Sequence, residues 1–285
     1  MKITKTWLLL PVIAAAIAYS SSCNKTTTIT KTVTDTLTVK DTVTDTLTGP
    51  HYSDSLKRSL WGYYKFNGNF ADSSGNSHNM TPYNNIAFSN DAFGNPNSAL
   101  NFTGLNASNT VTYAVIDSGV NFPNGPFSID FMMLTRTLAG RIFEKADYNT
   151  GLGASITYGY DNVNGVGTDS VSFSTSATTD VCSVPSVASN TYQATQNQIP
   201  SIYAWNYITL NFDGANLTVY VNGQLQASKA GGPNTLCSDA PFYVGMWWLQ
   251  DIRPFNGKMD ELRIYTRALS IGEIQYLAKA ALKVQ

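Results

Sequence analysis

Side chains able to do acid–base or metal chemistry are scarce in this 285-residue sequence, which holds three glutamates, two histidines and three cysteines. Hydrolysis of a glycosidic bond requires two carboxyl groups held roughly 5 to 9 Å apart. Glu144, Glu261 and Glu273 are scattered along the chain. Asp260 and Glu261 are neighbours, and on a regular strand neighbours point to opposite faces of the sheet. His51 and His78 supply neither a metal triad nor a nucleophile with its base. The expectation is a protein that binds without turnover and is not an enzyme.

The elements that would carry such a binding surface are legible from composition. Only 13% of residues are charged and the formal net charge is -1, which gives no basic surface for nucleic acid. Abundant Gly, Asn, Thr, Ser and Tyr suit short strands joined by turns, so an all-β fold is predicted. The clearest unit is Trp205 to Ser228, where Asp213-Gly214 turns one strand into the next. Asn222-Gly223 then supplies the pair of positive-φ residues that a tight hairpin needs. Phe127 to Thr135 reads as a mostly buried strand. Ser270 and Glu273 form a capping box that opens a short C-terminal helix.

The N-terminal region reads differently. Lys2 and Lys5 precede the apolar run Trp7 to Ala18, and "SSSC" follows, as in an export signal. The segment resembles a bacterial lipoprotein signal, which implies removal of residues 1–22, a lipid on Cys23 and attachment to the outer membrane of a cell envelope. The alternative is cleavage after Ala18, with Cys23 a free thiol. A lipid on Cys23 leaves Cys182 and Cys237 as an even pair in an oxidising compartment, where they would close a disulfide or stay as buried thiols.

Residues 23–57 are expected to form a Thr-rich extended stalk, whose stretch from Cys23 to Pro50 would reach at most about 90 Å. The sequence "TVTDTLTVKDTVTDTLT", Thr32 to Thr48, has no apolar patch with which to fold alone. Its Asp-Thr-aliphatic triplets resemble a bacterial O-glycosylation acceptor; a plain linker and a strand pairing with another copy are the other readings. Residues 58–285 are assigned to one folded domain.

Within that domain, "YYKFNGNFADSSGNSHN", "NSALNFTG", "FSIDFMMLT", "WNYITLNFDGANLTVYVNGQ", "FYVG" and "NGKMDELRIYTRALSIGEI" follow one another in the order of the laminin-G-like jelly roll. They resemble that family, part of the concanavalin A-like lectin/glucanase superfamily, over about Leu60 to Leu282. The resemblance implies a two-sheet antiparallel jelly-roll sandwich. It also implies a structural Ca²⁺ at Asp72 and Asp260, whose alternatives are a self-capped turn at Asp72 and pairing of Asp260 with Arg263 or solvent. Sugar-binding surfaces present aromatic faces flanked by polar groups. Shared parity of Phe242, Val244, Met246 and Trp248 puts Trp248 inside and leaves Trp247 as the expected platform, with Tyr158 and Tyr160 behind it; core packing is the alternative for each. Two functions follow from these readings: a membrane-tethered glycan-binding module, or a structural or adhesive envelope domain that meets a protein partner.

Overall fold

The computed structural model describes residues 26–33, 39–46, 52–104, 110–117, 125–147, 152–160, 171–176, 191–195, 201–231, 240–246 and 254–282. They fall into two compact units, Met1–Tyr52 and Ser53–Gln285. In the first, β1 (Thr26–Val33) and β2 (Val39–Thr46) pair antiparallel, from Thr26 opposite Thr46 to Val33 opposite Val39. This corrects the expectation of a single extended stalk. The near-palindromic register lets the repeat fold back on itself, and eight paired residues span only about 26 Å at strand rise.

The second unit begins at Ser53, earlier than residue 58 and within α1 (Tyr52–Arg58). Asp54 in its first turn and Lys57 and Arg58 in its last complement the helix dipole, and Leu56 is buried. The strands that follow are β3 (Leu60–Tyr64), β4 (Met80–Tyr83), β5 (Ala87–Ser89), β6 (Ala99–Thr103), β7 (Tyr113–Ile116) and β8 (Phe127–Thr135). Then come β9 (Arg141–Asp147), β10 (Leu152–Tyr160), β11 (Val171–Ser176), β12 (Thr191–Thr195) and β13 (Trp205–Phe212). The chain closes with β14 (Asn216–Val221), β15 (Gln224–Ala230), β16 (Phe242–Val244), β17 (Asn256–Tyr265) and α2 (Ile271–Leu282).

Two antiparallel sheets result, as the predicted jelly-roll sandwich requires. One runs β12-β11-β10-β9-β16-β7-β4, and the other runs β15-β14-β13-β8-β17-β6-β5 with β3 also paired to β17. Alternation fills the space between them: Phe127, Ile129, Phe131 and Met133 of β8 join Ile208, Leu210 and Phe212 of β13 in the core. The predicted hairpin is present, with Asn222 and Gly223 at φ 53° and 78°. So is the capping box: Glu273 accepts from the Ser270 amide at 2.9 Å, and Ser270 Oγ accepts from the Glu273 amide at 3.3 Å.

Outward residues of the second sheet are also buried. Ser128 and Asp130 of β8 and Tyr207 and Thr209 of β13 have no exposed surface. α2 packs on β13 and buries Ile274, Leu277 and Ala278. Glu273 ties the two helices to the segment after β17: it meets Arg267 at 2.5 Å and accepts from Ser55 of α1 at 2.6 Å. Four donors on Glu273 outweigh its partial burial and hold its carboxyl down at about 2.

Candidate functional site at the bulged strand

The side chains with chemical potential gather on the outer face of the second sheet, around an irregularity in β17. Asp260 stands opposite Met132 and Arg263 opposite Asp130, so Glu261 and Leu262 together face one residue, Phe131. This is a β-bulge. Glu261 takes φ 55°, a left-handed conformation that costs a β-carbon residue energy. Met259 before the bulge and Leu262 within it both enter the core. Asp260 and Glu261 therefore line the same outer cavity. The expectation that they occupy opposite faces is overturned, because the extra residue resets the strand's alternation.

Arg263 holds the cluster together. Its guanidinium donates to Asp130 Oδ1 at 3.1 Å and to Glu261 Oε2, and its Cζ lies 4.5 Å from the centre of the Tyr63 ring. Tyr63 donates its hydroxyl to Glu261 Oε2 at 2.5 Å. Asp130 is fully buried, which raises its carboxyl to about 6 even though Arg263 pulls the other way. The Tyr207 hydroxyl is a further neighbour that acts on the acidity of Asp130, without hydrogen-bond geometry to it. Burial drives the Tyr207 and Tyr63 hydroxyls well above the usual phenol range. Arg263 remains cationic, its burial outweighed by Asp130 and its other partners.

Two cavities flank Arg263. The larger, about 530 Å³, is lined by Tyr63, Tyr265 and Tyr276 together with Lys57, Ser73 and Ser74. Tyr276 of α2 is 47% exposed, whereas Tyr265 is buried. The smaller, about 270 Å³, lies between Asp260, Glu261, Phe93 and the last turns of α2.

The residues singled out from sequence sort differently. Tyr158 and Tyr160 are fully buried in the core. They share a face as strand alternation requires, but it is the inner one, where Tyr158 packs 5.8 Å from both Phe131 and Phe143. They are not surface platforms. Trp247 lies outside the described residues, as do Cys23, Cys182 and Cys237. The parity argument that turned Trp247 outward fails before reaching it: β16 ends at Val244, Gly245 takes φ 94°, and Met246 leaves the core to pack with Val111, Tyr113 and Val115.

Asp72 follows the turn-capping alternative. It accepts hydrogen bonds from the Tyr63, Ser74 and His78 amides and from Ser74 Oγ, at 2.8 to 3.0 Å. Partial burial would raise its carboxyl, but the amide donors of Ser74 and Tyr63 win and lower it. Asp260 lines the smaller cavity and Asp72 lines neither. Among the described residues no three His, Cys, Asp or Glu side chains gather to hold a metal. Asp260 does not pair with Arg263 either; its Oδ1 accepts the Glu261 amide at 2.7 Å. The Tyr-lined cavity was missed because its walls come from α1, α2, β3 and β17, and no local pattern joins them.

The description of a concanavalin A-like lectin/glucanase superfamily matches residues 107–275, more than half of the chain. No curated protein matches. Among solved structures, domain 4 of AbnA, a GH43 extracellular arabinanase from Geobacillus stearothermophilus in complex with arabinotriose, aligns with a TM-score of 0.54 and 21% identity. That alignment covers 77% of this chain and 98% of the arabinanase domain. The botulinum neurotoxin serotype D ligand binding domain in complex with N-acetylneuraminic acid aligns with a TM-score of 0.56 at 12% identity, over 80% of this chain and 52% of that one. The binding domain of botulinum neurotoxin DC in complex with rat synaptotagmin II gives 0.57 at 13%, over 79% and 52%. This chain thus spans about half of the toxin domains it matches.

Proposed function

Given that the chain belongs to the concanavalin A-like lectin/glucanase superfamily, we propose that it is a glycan-binding module tethered to a cell envelope, without hydrolytic activity. The observation that carries this reading is the larger cavity, where tyrosines meet hydroxyl and cationic side chains in one cleft. Sugar C–H faces stack on aromatic rings while their hydroxyls need donors and acceptors. Tyr276 supplies an exposed ring, and Ser73, Ser74 and Lys57 supply polar contacts. Relatives of the same fold have been captured with arabinotriose and with N-acetylneuraminic acid.

Absence of turnover is part of the proposal, although the bulge unites two carboxyl groups. No carboxylate is among the described residues lining the Tyr-rich cleft. Glu261 Oε2 is occupied by Arg263 and Tyr63, and Glu144 is buried. Tethering rests on the order of the leader, Cys23 and the Thr-rich segment in the sequence.

A glycan array probed with the folded chain tests the reading. Tyr276→Ala, at a half-exposed helix position, should weaken a hit at least tenfold while leaving the circular dichroism unchanged. Loss on Trp247→Ala but not on Tyr276→Ala would move the site away from the Tyr-lined cleft to Trp247. An array without hits would favour a protein partner, the mode seen in the synaptotagmin II complex. Release of reducing ends, abolished by Glu261→Gln, would refute the non-catalytic reading.

A further inference from the structure

A separate patch, independent of the glycan reading, lies on the outer face of the second sheet where β8, β17 and β6 run side by side. Alternation sends Phe255, Met259, Leu100 and Phe102 into the core, so Asn256 and Lys258 of β17 and Asn101 of β6 face outward. Lys258 stands between Leu134 of β8 and Asn101. Arg136, just past the end of β8, reaches over β17 to β6. Its Nη2 donates to Asn101 Oδ1 at 2.6 Å, and its Nη1 donates to the Phe102 carbonyl at 3.1 Å, Asn256 Oδ1 at 3.3 Å and the Gly257 carbonyl at 3.4 Å.

Every one of those acceptors is neutral. Among the described residues neither Arg136 nor Lys258 meets a carboxylate. Lys258 Nζ has only the Asn90 carbonyl, at 3.4 Å. Burial first, and the Arg136 charge second, lower the Lys258 pKa, and no acid acts against them. Partly buried cations of this kind are ordinarily paired. Arg136, Lys258, Asn101 and Asn256 are all partly exposed, so a ligand can reach them.

The two amides decide what the patch offers. An Asn side chain carries one acceptor oxygen and an NH₂ donor. Asn101 and Asn256 both spend the oxygen on Arg136, which turns each Nδ2 away from it, and among the described residues neither Nδ2 has a partner. The same holds for Arg136 Nε. The side chains thus present donors and two positive charges, and the guanidinium is fixed before any ligand arrives, which lowers the entropic cost of binding.

Charge balance selects the ligand. A carboxylate or a sulfate ester would neutralise one of the two cations. A phosphate monoester carries about −1.5 to −2 charges at pH 7 together with three acceptor oxygens. Arginine meets such a group as a planar fork and lysine as a point charge. We propose that this patch binds a phosphate monoester, its three terminal oxygens accepting from Lys258 Nζ, the free edge of Arg136 and Asn101 Nδ2, with Asn256 holding Arg136 in place.

Calorimetric titration of the full chain with methyl phosphate at constant ionic strength tests this, with methyl sulfate, of the same shape and lower charge, as the comparison. The expected result is one saturable site for methyl phosphate, with methyl sulfate at least about tenfold weaker. Lys258→Met keeps the carbon stem and removes the charge; it should weaken methyl phosphate by at least about tenfold with an unchanged melting temperature. Asn101→Asp keeps an acceptor for Arg136 but exchanges the amide donor for a negative charge. It should abolish binding, and it decides the matter should the first variant fold poorly. Absence of saturable heat with methyl phosphate, equal binding of the two esters, or unchanged affinity in both variants would overturn the proposal.

Discussion

Glu273 shows how one side chain can carry several structural duties. It closes the capping box of α2, receives Arg267 and receives Ser55 from α1. Its carboxyl is held at about 2, below the ordinary glutamate value of 4.5. A depressed carboxylate contributes stability that is present above the unfolded value and lost as pH falls through the folded one. The domain should therefore lose stability between about pH 5 and pH 2, and Glu273→Gln should flatten that limb. At pH 7 the variant should cost roughly 2 kcal/mol, since Arg267 is left without its counter-charge. Urea melts of both proteins across that pH range measure it. Glu273 was legible as a helix cap because Ser-x-x-Glu is a local pattern, whereas its contact with Ser55 crosses 218 residues and leaves no local trace.

At the scale of elements, legibility follows the same division. β13, β14 and β15 announced themselves through period-two alternation and through Asp213-Gly214 and Asn222-Gly223. α1 was read as stalk, since seven residues with one buried side chain offer no period to detect. The bulge in β17 was hidden because Glu261, not glycine, occupies its left-handed position. The surrounding bonds to Tyr63 and Arg263 hold it there, and they come from tertiary structure. Another irregularity is marked by glycine: Gly245 takes φ 94°, and a β-carbon there would fall 2.2 Å from the Phe102 ring. Gly245→Ala should destabilise the domain by about 3 kcal/mol or more, combining overpacking with backbone strain. A denaturant midpoint that moves by less than a tenth of its value would contradict this.

For the whole molecule, the sandwich was foreseeable and the larger cleft was not, because its walls come from both ends of the domain. Tyr158 and Tyr160, the secondary platform candidates from sequence, proved to be core. Attachment is a separate matter that the sequence order raises. Among the described residues no helix is long and apolar enough to cross a membrane, and residues 1–25 lie outside them. If Cys23 bears a lipid, Cys23→Ser should move the protein from the membrane fraction to the soluble one. Fractionation and blotting read this directly, and unchanged partitioning would leave the thiol alternative.

The pairing of β3 with β17, and the clasp of α1 on α2 through Ser55 and Glu273, have a consequence in time. The first strand of the domain finds its partner only after some 200 further residues, as the separations of Tyr63 from Glu261 (198) and of Ser55 from Glu273 (218) record. A chain emerging from the ribosome cannot close this sandwich until its last strand and helix have been made, and closure of so long a loop is slow. Exposed apolar strands and an unfolded chain would persist through synthesis. If residues 1–22 direct export, as the sequence order suggests, late closure would keep the polypeptide threadable until it had crossed the membrane.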